Sequence, residues 1–218
     1  MGYYPTSENC QISLSFIYEQ YFGLRNEGYF VDVGAYNGID FSNTWGLAKR
    51  GWTGLALEPN PQTFAQLKNN YKEFESHVIC LELAAGKSGE AQISLAGSIS
   101  TCSPDQYVQF LHNGWVSGQE SFAEVHVLPL DEILGALETP INFDVFSLDV
   151  EGLELEVLET FTIDKWKPKL CLVESHEHHP ITSFGRHAQQ INEYFEKAGY
   201  YKIYCDMVNN IYVRKDFK

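Results

Sequence analysis

The sequence predicts an α/β fold: a doubly wound, mostly parallel sheet with an antiparallel C-terminal hairpin. Short apolar runs alternate with segments of helical periodicity along the chain. Several of those runs end in an acid or a small residue, as strands do when their carboxyl ends face a ligand. The last two runs, Tyr200 to Cys205 and Val208 to Val213, are separated only by Asp206 and Met207 and read as a hairpin.

In chain order, the N-terminal segment 1–27 is read as helical. Ile12, Leu14, Phe16, Ile17, Tyr21 and Leu24 follow a helical spacing over Gln11 to Leu24, with Ser7 as a nearby cap. The stretch from Gly28 to Glu58 then forms a βαβ unit. A strand ends at Asp32 and Val33, a turn carries Gly34 and Gly38, and Ile39 to Arg50 is of helix length. A second strand ends at Glu58-Pro59. The glycines allow a tight turn and close approach of a ligand to backbone. Glu58 is suited to accept hydrogen bonds from ribose hydroxyls.

The third glycine of Gly-x-Gly-x-x-Gly is missing, which argues against a pyrophosphate cradle. Asp32, the turn amides across Ala35 and Asn37, and the hydroxyls of Ser42 and Thr44 instead suit the ammonium and carboxylate of an amino-acid moiety.

Gln62 to Tyr71 is expected as the next helix and His77 to Leu83 as the third strand. Its end, Glu82-Leu83-Ala84, is expected beside the base of the nucleoside. A short strand follows at Ala91 to Leu95. Residues 96–121, rich in Ser, Gly and Asn with isolated Tyr107, Phe110 and Trp115, are expected as a long loop covering the substrate. Glu124 to Leu128 returns as a strand and Leu130 to Leu137 as a helix. Phe143 to Leu148 is a strand ending at Asp149, followed by a helix over Glu151 to Thr160. Lys169 to Val173 leads to Glu174-Ser175-His176, and Ala188 to Ala198 is an amphipathic helix stopped by Gly199. This order fits one domain over 1–218, with Asp32, Glu58, Ala84, Asp149 and Glu174 on one edge of the sheet.

Asp32-Val33-Gly34-Ala35-Tyr36-Asn37-Gly38, Ser42-Asn43-Thr44, Gly51-Trp52-Thr53-Gly54, Glu58-Pro59-Asn60-Pro61 and Asp149-Val150-Glu151-Gly152-Leu153-Glu154 together resemble the successive signatures of FkbM-type methyltransferases. The resemblance runs over residues 28–175. It implies a class I, Rossmann-like fold, S-adenosylmethionine as cofactor and methylation of a hydroxyl on a sugar, glycan or small natural product. An NAD(P)-dependent oxidoreductase is the other enzyme reading, weakened by the absent glycine and by the lack of a Tyr-x-x-x-Lys pair. A methyltransferase-like domain that binds without catalysis is the non-enzyme reading.

An alcohol acceptor must lose its proton as it attacks, so a base or a metal is needed. Asp149 is the first candidate, with Glu151 beside it and His176 across the cleft; both acids equally suit a helix N-terminus. Asp149, Glu174 and His176 also form an oxygen and imidazole set fitted to Mg²⁺ or Mn²⁺. His178 and His179 extend that loop, which reads equally as a solvated turn.

Composition bounds the rest. The chain has 218 residues, 44% hydrophobic and 14% aromatic, enough for one substantial core. A net charge of −14 argues against nucleic acid as a partner. Five cysteines without a Cys-x-x-Cys pair fit reduced thiols, and no membrane span or secretory leader is legible, so a cytoplasmic location is expected. Met1-Gly2 with Thr6 matches the loose myristoylation pattern.

Overall fold

The computed structural model describes residues 4, 5, 13–181 and 183–217. The myristoylation pattern, Ser7, Cys10 and the expected helix start at Gln11 and Ile12 lie outside them. The elements in order are α1 (Leu14–Phe22), β1 (Tyr29–Val33), α2 (Trp45–Lys49), β2 (Thr53–Leu57), α3 (Pro61–Asn70), β3 (Val78–Leu81), β4 (Ala84–Ala85) and β5 (Gly89–Ser94). There follow α4 (Pro104–His112), β6 (Phe122–Leu128), α5 (Leu130–Ala136), β7 (Val145–Leu148), α6 (Glu154–Leu158), α7 (Ile163–Trp166), β8 (Leu170–Glu174), α8 (Ala188–Lys197), β9 (Tyr200–Cys205) and β10 (Asn209–Arg214).

The main sheet has the order β3-β2-β1-β7-β8-β10-β9. The pairs from β3 to β8 are parallel, and β10 runs antiparallel to both β8 and β9, which gives the expected closing hairpin. The chain builds outward from β1 through β2 to β3 and then returns to build β7 and β8 on the other side. The switch point therefore lies between β1 and β7, where ligands of such sheets bind.

Strand periodicity sorts the core onto two faces. Val31, Val33, Leu55, Leu57, Cys171 and Val173 pack with residues of α5 to α8. Their neighbours Phe30, Ala56, Leu170 and Leu172 pack with α1, α2 and α3 on the other face. Apolar residues on both faces are what a covered, parallel sheet requires. Each large side chain so buried contributes about 1.5–3 kcal/mol by transfer from water.

Three expectations need correction. Ile39 to Arg50 yields only the short α2, because residues 34–44 are spent in turns around the switch point. The run from His77 to Leu83 is not one strand. β3 ends at Leu81, and Ala84–Ala85 leaves to pair with Val127 and Leu128 of β6 in a second sheet, ordered β4-β6-β5. Residues 96–121 are not a plain loop, since they contain α4 and a 3-10 turn at Gly97–Ile99. The signal for α4 is Ser103-Pro104, where the Ser103 side chain accepts from the Gln106 amide and Pro104 opens the first turn.

Candidate active site

The carboxyl ends of β1, β2, β7 and β8 meet at a cavity of ≈ 400 Å³. The five strand-end positions read from the sequence, Asp32, Glu58, Ala84, Asp149 and Glu174, all line it.

The turn after β1 is held by backbone. The Gly34 and Ala35 amides both donate to the Leu57 carbonyl, and the Asp149 amide donates to the Val33 carbonyl. Gly34 has φ +88°, and a Cβ there would lie 1.6 Å from the Asp149 carbonyl oxygen. A side chain would force β1 and β7 apart where the cavity opens. Gly38, also at positive φ, does not line the cavity; a Cβ on it would meet Leu67 and Tyr71 at 2.5 Å, so it seats the turn on α3.

Glu58 is buried. Its carboxylate accepts from the Tyr36 amide (2.9 Å), the Asn60 amide (2.8 Å) and the Thr63 hydroxyl (2.9 Å). Burial still outweighs those donors and pushes the carboxyl up to about 7. Asp32, also buried, accepts from the Thr44 hydroxyl at 2.6 Å, and burial pushes it up to about 6 against the pull of Thr44 and Ser147.

The remaining predicted positions divide. Ala35, Ser42, Pro59 and Leu83 line the cavity. Thr44 does not; it is fully buried and acts through Asp32. Asn37 does not line it either, and its side-chain oxygen accepts from the Ile39 and Asp40 amides to fold the turn. Glu82 is exposed and outside the cavity, a consequence of the chain leaving the main sheet after Leu81.

At the other end Asp149, Glu151 and Glu174 line the cavity. Burial, and then the neighbouring acids, hold all three carboxyls well above the usual carboxylate range. His176 is not among the lining residues, but its Nε2 lies 2.9 Å from Glu174 Oε1. Burial lowers the His176 pKa against the opposing pull of Glu154 and Asp149.

Glu154 shapes the turn that follows β7. Its Oε1 accepts from the Val150 and Gly152 amides at 3.0 and 3.1 Å, clamping the turn that carries Glu151 at φ 56°. Among the described residues, one oxygen each of Asp149, Glu154 and Glu174 converges within 4.8 Å of the others. His176 is not in that group.

The segment 96–121 reaches the same cavity. Ser98, Ile99, Ser100, Cys102 and Pro104 line it, Asn60 donates to the Ser100 hydroxyl (2.9 Å), and the Thr101 hydroxyl donates to the Glu151 carbonyl (2.8 Å).

A sheet of this order, with its cavity at the switch point between β1 and β7, defines a class I methyltransferase fold. The chain belongs to the FkbM methyltransferase family: the family model described as "Methyltransferase FkbM domain" matches residues 32–201. Use of S-adenosylmethionine follows from that membership. No curated protein matches the chain in sequence.

Among solved structures, the FkbM methyltransferase from Methylobacillus flagellatus KT is similar with a TM-score of 0.53 and 18% identity, covering 88% of this chain and 46% of that one. The precorrin-6y C5,15-methyltransferase from Geobacter metallireducens GS-15 is similar with a TM-score of 0.51 and 14% identity, covering 97% of this chain and 94% of that one. Monomeric WbdD gives 0.53 and 14%, covering 95% and 42%. This chain thus spans less than half the length of the first and third. Among the described residues no helix is long and apolar enough to cross a membrane.

Proposed function

We propose that this chain is an S-adenosylmethionine-dependent O-methyltransferase whose acceptor is a hydroxyl of a sugar, glycan or small natural product. The observation that carries the reading is the convergence of Glu58 and Asp149 on one cavity at the switch point. Glu58 receives the ribose hydroxyls, Leu83 and Ala84 lie against the adenine, and Asp32 with the Gly34 and Ala35 turn faces the amino-acid end. Residues 96–121 cover the acceptor.

The acceptor oxygen attacks the methyl carbon in line with the sulfur. S-adenosylmethionine, when bound, would supply the methyl group, its carbon–sulfur bond breaking as the oxygen–carbon bond forms and sulfur keeping the electron pair. The hydroxyl proton passes to a carboxylate, with Asp149 as the base or orienting group and Glu151 beside it. Holding the three atoms in line is itself a large rate factor, and a positioned base adds ~10²–10⁴-fold.

Calorimetry on the purified protein with S-adenosylmethionine and, separately, NAD⁺ tests the reading. We expect S-adenosylmethionine to bind and Glu58→Ala to lose that binding. Asp149→Ala should retain cofactor affinity and lose turnover on a panel of hydroxylated acceptors. Binding of NAD⁺ alone would overturn the reading, and unchanged turnover in Asp149→Ala would remove that residue from the mechanism.

A further inference from the structure

We propose that Phe41 is a specificity-determining residue that seats the C–H face of an uncharged, ring-shaped polyol, a pyranoside or similar cyclic alcohol, as the acceptor. Only the fate of that ligand once bound rests on the methyl-transfer reading.

Phe41 has a φ of 59°, a left-handed conformation that a bulky side chain adopts at a cost. Other non-glycine residues in that conformation have local reasons for it. Glu138 lies just past α5 and Lys167 closes α7, where helices commonly end this way. Tyr36 aims its amide at the Glu58 carboxylate, and Glu151 sits in the turn clamped by Glu154. Phe41 instead lines the cavity and stays 44% exposed. It belongs to neither core layer of the main sheet, nor to the cluster around Phe110 and Phe184. Strain of this kind persists where neighbours enforce it, and it gathers at sites that hold ligands.

The neighbours here do enforce it. On one side the Asn37 side chain accepts from the Ile39 and Asp40 amides and donates to the Asp40 carboxylate at 2.7 Å. The Asn37 carbonyl in turn accepts from Asn70 of α3. On the other side Ser42 Oγ accepts from the Thr44 and Trp45 amides where α2 begins. Phe41 is pinned between two fixed turns.

The same segment is tied to the acceptor side of the cavity. Asn43 donates to Ser147 Oγ at 3.2 Å, two residues before Asp149, and Thr44 donates to Asp32 of β1. Glu58 ends β2, on the far side of β1 from β7.

An aromatic ring in a polar cavity takes apolar surface from its ligand. Among the described residues eight acids and a single lysine line the cavity, and that lysine, Lys87, pairs with Glu159 at 3.1 Å. Carboxylates accept from hydroxyls and repel phosphates and other carboxylates. A ligand with hydroxyls around its rim, a C–H face for Phe41 and no negative charge meets all of these conditions. A cyclic polyol is such a ligand; a sugar phosphate or a nucleotide-linked sugar is not.

The test is saturation-transfer NMR on the full chain with S-adenosylhomocysteine present. The probes are the methyl pyranosides of glucose, galactose, mannose and rhamnose, with D-glucitol as the acyclic control and glucose 6-phosphate as the charged one. At least one pyranoside is expected to bind, with both controls at least ~10-fold weaker. Phe41→Ala should weaken that pyranoside about 10-fold, while S-adenosylmethionine affinity by calorimetry stays within ~2-fold. Phe41→Gly separates this role from a structural one. Glycine relieves the left-handed strain, so its urea midpoint should be no lower than that of wild type, although pyranoside binding weakens as in Phe41→Ala. Wild-type protein that binds no pyranoside, or that prefers glucose 6-phosphate, would overturn the proposal. So would equal pyranoside affinity in wild type and Phe41→Ala, or a Phe41→Ala loss confined to S-adenosylmethionine, which would put the ring against the cofactor. Pyranoside binding that depends on Phe41 in a protein without affinity for S-adenosylmethionine would sink the methyl-transfer reading and leave the Phe41 subsite standing.

Discussion

Gly34 is the residue on which the site's shape turns most directly. Its φ of +88° and the carbonyl of Asp149 at 1.6 Å from a Cβ leave no position for alanine. The backbone strain alone costs about 1–3 kcal/mol, and the clash adds to it. Gly34→Ala is therefore expected to lower stability by at least about 2 kcal/mol in urea unfolding. An unchanged midpoint would mean that β1 and β7 do not approach as closely as described. Gly34 was legible because a glycine directly after an apolar run and an acid marks a turn. Asp149 and Glu174 were legible as strand ends for the same reason. The role of Glu154 was not, because it depends on a side chain reaching back across four residues to amides that no pattern exposes. The side-chain partners of Thr44 and Asn37, Asp32 and the turn's own amides, were not legible, because they depend on how the turn folds back on β1.

Elements show where periodicity is a good guide and where it is not. α8 was legible because Ile191 and Phe195 recur on one face and Gly199 follows. The strands of the main sheet were legible as continuous apolar runs, since both faces are covered. β4 was hidden because Leu83, Ala84 and Ala85 read as an extension of β3, while Ala84 and Ala85 pair with β6 in a different sheet. α4 was hidden by its Ser-rich and Gly-rich surroundings, although its cap was there to be read. The cap gives a test of the element. Removing the bond from the Gln106 amide to Ser103 Oγ by Ser103→Ala should cost about 1 kcal/mol. Amide exchange over Pro104–His112 should accelerate while that of β1 and β7 does not. Exchange unchanged in α4 would show that packing of Phe110 against Phe184, rather than the cap, holds the helix.

At the scale of the whole molecule, the acids set an unusual dependence on pH. The Glu58 carboxyl ionises near 7 in the folded protein and near 4.5 when unfolded. Between those values the folded state holds more protons than the unfolded one, so stability falls as pH rises through this window. Asp32, at about 6 against 3.8, acts in the same direction. The Glu58 contribution is on the order of 3 kcal/mol. Urea midpoints of the ligand-free protein should therefore fall from pH 5 to pH 8, and Glu58→Gln should flatten the curve. The net charge of −14 adds repulsion of the same sign. Salt at ~1 M screens exposed charges over about 3 Å and should remove that part while leaving the buried carboxyls' part. A midpoint that rises from pH 5 to pH 8 would mean that these two acids are ionised throughout.

The pairing of β1 with β7 also sets an order of assembly. Phe30 lies beside Val145 in the sheet, so half of β1's backbone partners lie over a hundred residues downstream. At about 5–20 residues per second on the ribosome, β1 waits roughly 10 s with that edge open. During this interval β2 covers one edge of β1 and nothing native covers the other. An open, mostly apolar strand edge is a template for association, so the nascent chain is most exposed to misassembly just before the site can exist.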